Sequence, residues 1–167
     1  MFPHGVVHLG LEKSRVSGKQ GRLAISQSST GIQLGRAHND WNMRLANDVP
    51  MELRIEMGAG QGDLRLGGLL LTKLDVGMGA GQATVDLTGD WKEDLDARIE
   101  GGVGTATIRL PKNVGVRVHA EGGIGSINVR RLEREGDVYV NSAYGKSPVT
   151  LRLNIEGGVG TINLEGS

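Results

Sequence analysis

A short glycine-rich motif recurs five times along this chain and constrains the fold more than any other feature. It occurs as Met-Gly-Ala-Gly at 57–60 and 78–81, and as Gly-Gly-x-Gly at 101–104, 122–125 and 157–160. Successive copies begin 21, 23, 21 and 35 residues apart. A repeat period of this length is typical of proteins built from stacked structural units.

Both flanks of each motif alternate apolar and polar residues. The third copy, for example, lies between alternating segments at 95–99 and 106–110. Alternation with a period of two predicts a strand with one buried face. The repeating unit is therefore strand, glycine corner, strand and connection. It predicts an all-β protein, a β-solenoid whose β-helix-like rungs of about 21–23 residues have three short faces.

Stacking of successive rungs makes three further predictions. Glycines at a fixed offset indicate corners with positive φ, which we expect at Gly102 and Gly123. Small apolar residues should lie inside the corners: Ala59, Ala80, Val103, Ile124 and Val159. One interior column should contain Leu53, Leu74, Leu95, Val116 and Leu151.

The length of 167 residues fits a single domain, 1–167. Within it we expect an irregular N-terminal cap or first rungs at 1–50 and regular glycine-corner rungs at 51–131. An insertion at 132–148 contains an additional strand at 137–140, and the last rung occupies 149–167.

Composition excludes several classes of function. Lys plus Arg equal Asp plus Glu at 19 each, so the chain lacks the basic excess that nucleic-acid binding requires. There is no cysteine, which excludes disulfides and thiolate metal sites. We identify no signal peptide and no apolar stretch of transmembrane length.

Several motifs resemble the bacterial toast-rack domain family. They are the Met-Gly-Ala-Gly corners, the segments 39–44 and 48–50, Gly89-Asp-Trp91, and the segment from Tyr139 to Thr150. That family is related to the C-terminal domain of cell-wall-active antibiotic response proteins and to auto-transporter adhesin-like proteins. The resemblance implies a stacked β fold, a cell-envelope or extracellular location and no established reaction. Members usually carry an export signal or membrane helices, so it also suggests that this chain is truncated.

An outward acidic position precedes the corners, at Glu100, Glu121 and Glu156. If successive rungs are neighbours, Glu100 and Glu121 lie side by side, with Arg98 and His119 next to them. Because adjacent like charges destabilise a sheet, something must offset them. A salt-bridged ladder, a divalent cation held by the three glutamates, or a sugar-binding strip would each do so. If the protein is an enzyme, Glu100, Glu121, His119 and Arg98 are the candidate catalytic residues of a hydrolase.

Aromatic residues are few, and four are candidates for ligand binding: Trp41, Trp91, Tyr139 and Tyr144. Exposed rings would stack on sugars. The alternative for the two tryptophans is that they plug a corner or cap an end of the solenoid.

These patterns favour a non-enzymatic binding or scaffold domain of the bacterial cell envelope, acting by surface recognition and self-association. Its expected partners are a second copy, forming a dimer, and an envelope polysaccharide or a membrane protein, but no nucleic acid. No cofactor is implied apart from the divalent cation. Two alternatives stay open: a β-helical hydrolase or carbohydrate-active enzyme using the Glu and His ladder, and a regulatory partner of an envelope-stress sensor.

Overall fold

The computed structural model describes residues 44–45, 47–48 and 50–167, and these belong to one compact unit, Arg44–Ser167. The rest of the segment 1–50, including Trp41, lies outside the described residues. The described chain forms seven strands: β1 (Met51–Arg65), β2 (Leu71–Asp86), β3 (Leu95–Leu110), β4 (Gly115–Arg130), β5 (Glu133–Glu135), β6 (Val138–Val140) and β7 (Thr150–Gly166). In these residues there is no helix that could cross a membrane.

The five long strands each run through a glycine corner without interruption. The part of each strand before the corner is called its first arm, and the part after it its second arm. Apolar residues of both arms, such as Leu74 and Val85 of β2, are fully buried in the same core. Each strand therefore bends at its corner and encloses the core between its two arms. Each rung therefore consists of two arms and a connection to the next rung.

The fourth residue of each motif makes the bend. The glycines at this position have φ values between 127° and 149°: Gly60, Gly81, Gly104, Gly125 and Gly160. Side chains other than hydrogen are strained in this region of φ. The expectation of positive φ at Gly102 and Gly123 is therefore wrong by two positions. Those two glycines are needed for another reason, because a Cβ on Gly102 would overlap the carbonyl oxygen of Gly79 on the neighbouring strand.

The sheet order is β1-β2-β3-β7-β4-β6-β5, so the last rung is inserted between the third and the fourth. β7 pairs in parallel with β3 on one side and with β4 on the other, over nearly its whole length. The residues between β4 and β7 make this crossing possible. They form the antiparallel pair β5–β6, which covers the outer edge of β4 at Arg117–His119, and then return the chain to the other edge. The strand predicted at 137–140 is β6.

The expected interior column is in fact two columns. In one, Leu53 is in register with Leu74, which is followed across the sheet by Ala97, Leu153 and Val118. In the other, Leu95 pairs with Leu151, which pairs with Val116. The five residues do not share one offset, because the first two lie four residues before their motif and the others lie six before it.

Side chains from the connections close the open end of the core. Trp91 is only 7% exposed, and its Nε1 donates a hydrogen bond to the carbonyl oxygen of Leu87 at 2.8 Å. Asn141 fastens the connection between β3 and β4. Its amide nitrogen donates to the carbonyl oxygens of Pro111 and Val114, and its Oδ1 accepts from the backbone N–H of Val116. The aromatic and amide motifs of the sequence thus hold the connections.

Candidate binding surfaces

The outer face of the first arms carries most of the charged candidates. It is a set of rows that cross the strands, since residues in register on neighbouring parallel strands lie about 4.8 Å apart. The row nearest the corners, called the acidic row, contains Glu56, Gly77, Glu100, Glu156 and Glu121 in spatial order. The next row contains Arg54, Asp75, Arg98, Asn154 and His119.

The acidic row shows that Glu100 and Glu121 are not neighbours. Glu156 of β7 lies between them, in register with both. The expectation of adjacency is wrong because it assumed that rungs stack in the order of the sequence. The arrangement that results is three carboxylates in a row rather than two.

Arg98 offsets much of this negative charge. Its Nε donates to Glu100, and its NH2 group donates to Oε1 of Glu156 at 3.2 Å. The hydrogen bond and the charge of Glu100, together with the charge of Glu156, raise the pKa of Arg98 above its ordinary value, so the guanidinium stays charged. Asn154 adds a hydrogen bond from its amide to the same oxygen of Glu156, at 3.2 Å. The salt-bridged ladder, one of the three interpretations of the acidic residues, therefore describes this part of the face.

His119 lies at the β4 end of the same face. Its Nε2 is 3.5 Å from Oε1 of Glu121 and 3.8 Å from Oδ2 of Asp137, which precedes β6. Of the four candidate catalytic residues, Arg98 and Glu100 are thus in contact with each other, and His119 and Glu121 form a separate pair two strands away.

Among residues 44–167 as described, no three His, Asp or Glu side chains are placed to share a metal ion. The candidate ligands Glu100, Glu156 and Glu121 are spread along a row in which Arg98 already holds two of them. Ion pairing with Arg98 offsets the charge of two of the three carboxylates, Glu100 and Glu156.

The outer face of the second arms is polar and nearly uncharged near the corner. Asn163 of β7 connects its neighbours, since its amide donates to Thr107 at 3.3 Å and its Oδ1 accepts from the amide of Asn128 at 3.0 Å. Beside this ladder, the hydroxyls of Ser126 and Thr161 are 3.4 Å apart. Sequence reasoning missed this face because its residues become neighbours only through the insertion of β7.

The three aromatic candidates within the described residues are buried or half-buried. Trp91 is in the core, so its ring cannot stack on a sugar. Tyr139 and Tyr144 are half-buried, and Tyr139 packs against the core from β6. Trp91 lies in the connection between β2 and β3 and closes the open end of the core rather than a glycine corner.

The corners themselves carry an exposed apolar ridge. Val103, Val159 and Ile124 are in register on neighbouring strands and are 55%, 48% and 75% exposed. The sequence predicted these side chains inside the corner. They point outward because the interior positions on either side of the bend are filled, for example by Ile155 before it and Ile162 after it.

Asp94 holds the start of β7 against β3, a role that the sequence did not indicate. Its Oδ1 accepts the backbone N–H of Thr150 at 2.9 Å, and its Oδ2 accepts from Arg152 at 3.0 Å. The bond from Thr150, followed by the bond and charge of Arg152, keeps the pKa of Asp94 below its ordinary value despite the opposing effect of desolvation.

Comparison with known proteins agrees with this architecture. Residues 10–109 match the family model for the N-terminal domain of toast_rack. The chain belongs to the toast-rack family. That match includes the first three glycine corners, at 57–60, 78–81 and 101–104.

One similar solved structure is the crystal structure of a "putative cell adhesion protein" from Clostridium sporogenes. The two share 40% sequence identity and superpose with a TM-score of 0.85, over 92% of this chain and 74% of that one. No curated protein matches the chain. The toast-rack chain described here therefore has the all-β, β-solenoid-like fold that the repeats predicted, with a different order of rungs.

Proposed function

We propose that this toast-rack chain is a non-enzymatic binding and scaffold domain of the bacterial cell envelope, which acts by surface recognition and self-association. The observation that carries the proposal is the architecture itself. The chain presents rows of regularly spaced side chains on the outer faces of one bent sheet, so its recognition groups are spread over a surface. The similarity to the Clostridium protein described as adhesive supports an envelope setting.

The geometry gives the hydrolase alternative little support. A glycosidase needs two carboxyl groups facing one bond, one of them with a raised pKa. Here Arg98 binds Glu100, and β7 separates Glu100 from Glu121.

Self-association is proposed through the β4 end of the sheet, with a second copy as the partner. Within the described residues, β6 pairs with β4 only at Arg117–His119, so the second arm of β4 has an unpaired edge. Ile127 and Val129 on that arm are half-buried, while Ile162 and Leu164, their partners on β7, are buried. An open edge with partly exposed apolar residues is a site where a second strand can pair. Because the formal net charge is zero, there is little electrostatic repulsion between two copies.

Sedimentation velocity at tens of micromolar tests this part of the proposal. We expect a dimer that dissociates on dilution, and Ile124→Asp should shift it toward the monomer because a charge is placed beside the edge. Lys112→Asp, an exposed position in the connection after β3, is the matched control and should leave the dimer intact. A monomer at all concentrations would contradict self-association.

A further inference from the structure

We propose that Arg117 and Arg152 form a binding site for an anionic group, a carboxylate or a phosphate, of an acidic, hydroxyl-bearing polymer. The inference deepens the proposed binding function and rests on it, since it names the chemistry of the ligand and the residues that hold it. It starts from the third row of the first-arm face. In spatial order this row contains Glu52, Lys73, Asp96, Arg152 and Arg117.

The charges of this row alternate in sign from β1 to β7, and the alternation fails at β4. Arg117 is in register with Arg152, so two guanidinium groups lie on neighbouring strands. Like charges in this position are destabilising unless something opposes them. A carboxylate on the next strand would oppose the two positive charges, but the residue opposite Arg117 on β6 is Val140.

Arg152 is already bound on its other side. Its NH2 group donates to Asp94 at 3.0 Å, and its NH1 group is 3.8 Å from Asp96. Asp94 precedes β3 and Asp96 belongs to it, so both carboxylates lie on the side of β7 that faces away from Arg117. Among the described residues, Arg117 itself has no carboxylate within 4.0 Å and no hydrogen-bond partner for its guanidinium, although the residue is half-buried.

Arg117 lines an open depression in the first-arm face, and its neighbours there are already paired. Lys73 is 3.8 Å from Asp75, Arg98 binds two glutamates, and His119 is next to Glu121 and Asp137. Within the described part of the chain, Arg117 is thus the cation of this depression that has hydrogen-bond donors available for a ligand. A planar guanidinium binds carboxylate and phosphate oxygens in a bidentate fashion.

The surroundings indicate a ligand that places one anionic group at Arg117 and neutral groups around it. Asp75, Asp96 and Asp137 line the same depression and would repel an anionic group placed next to them. Asn154 also lines the depression. Its amide nitrogen donates to Glu156, and its carbonyl oxygen can accept a hydrogen bond from a hydroxyl group of the ligand. One anionic group beside hydroxyl groups is the chemistry of a uronic acid polymer or of a polyol phosphate chain.

Titration calorimetry with three polymers at low salt tests the proposal: oligogalacturonate, poly(glycerol phosphate) and neutral dextran. The wild-type chain should bind at least one of the two anionic polymers and not dextran, and the comparison of the two identifies carboxylate or phosphate as the preferred group. Arg117→Gln should weaken that binding by about tenfold or more, because a charged hydrogen bond is lost. Arg117→Lys should restore part of it.

Arg54→Gln is the matched control, since Arg54 is on the same face but paired with Glu56 at 2.8 Å, and it should leave the affinity unchanged. Arg117→Gln should not lower the melting temperature, because Arg117 has an arginine and a valine as its neighbours. Equal losses in the two variants, or no loss in Arg117→Gln, would overturn the anion site. Binding to dextran that survives Arg117→Gln would overturn it as well, but would leave the proposed envelope-binding function standing.

Discussion

Asn128 donates its side-chain amide to Oδ1 of Asn163 at 3.0 Å, although 35 residues separate the two in sequence. The bond joins β4 to β7 on the outer face of the second arms. Asn163 in turn donates its side-chain amide to Thr107 of β3 on the other side, at 3.3 Å. The last rung of the sequence is therefore an internal rung of the sheet, and each outer-face row depends on that insertion.

The corner glycines allow a graded test of backbone strain. A Cβ on Gly58 would contact nothing within 4 Å, and its φ is not positive, so Gly58→Ala should change the free energy of unfolding by no more than about 0.5 kcal/mol. Gly60 has a φ of 139° but similar open space, so Gly60→Ala should cost about 1–3 kcal/mol. Gly104 has the same φ, and its Cβ would overlap the carbonyl oxygen of Gly81, so Gly104→Ala should cost more than Gly60→Ala. Urea denaturation measures all three, and equal stability of the Gly58 and Gly104 variants would refute the role given to the corner.

Asn141 should be among the most sensitive polar residues. Asn141→Ala leaves the N–H of Val116 and the carbonyl oxygens of Pro111 and Val114 without their side-chain partner. We expect a loss of about 2–4 kcal/mol, since unsatisfied buried groups cost about 1–3 kcal/mol each and water can reach some of them. Asn113→Ala, an exposed position in the same connection, is the control and should be nearly neutral. Comparable denaturation midpoints for the two variants would show that Asn141 does not fasten the connection.

Asp94 should make stability dependent on pH in the acid range. Because its pKa is lowered in the folded state, its contribution is present above the ordinary aspartate pKa of about 3.9 and disappears as the pH falls through the lowered value. Asp94→Asn should therefore lower the melting temperature at pH 7. The difference in melting temperature between wild type and variant should be smaller near pH 2. Asp90→Asn, exposed in the same connection, is the control. A wild-type-to-Asp94→Asn difference that is constant from pH 7 to pH 2 would contradict the assigned contacts.

The strands and their corners could be predicted from the sequence, because period-two alternation and a glycine motif are local signals. The order of the rungs could not. The third, fourth and fifth motifs are all Gly-Gly-x-Gly, so any of them fits beside any other, and the corner alone does not specify a neighbour. The signal that was available is the separation of 35 residues before the last motif, long enough for β5 and β6 to cover β4 and for the chain to return.

The site predictions followed the same division. Arg98 was correctly placed beside Glu100, because the two lie two positions apart on one strand and therefore share a face. The proximity of Glu156 to Arg98, and of Arg152 to Arg117, depends on which strand lies next to β3 and β4. Contacts within a rung can thus be predicted from the alternation of apolar and polar residues, while contacts between rungs can be predicted only when the order of the strands in the sheet is known.

Engineered disulfides test that order most directly, since the natural chain has no cysteine. Thr105, Thr161 and Ser126 occupy one outer-face row in the spatial order β3, β7, β4. Neighbouring positions are about 4.8 Å apart, within the range that a disulfide spans, whereas Thr105 and Ser126 are about twice as far apart. After mild oxidation at low concentration, intact-mass and peptide mapping should show an intramolecular bond in Thr105→Cys/Thr161→Cys and in Ser126→Cys/Thr161→Cys, and none in Thr105→Cys/Ser126→Cys. Rapid bonding of the Thr105→Cys/Ser126→Cys pair, with none between positions 105 and 161, would show that the rungs stack in sequence order and would contradict the account.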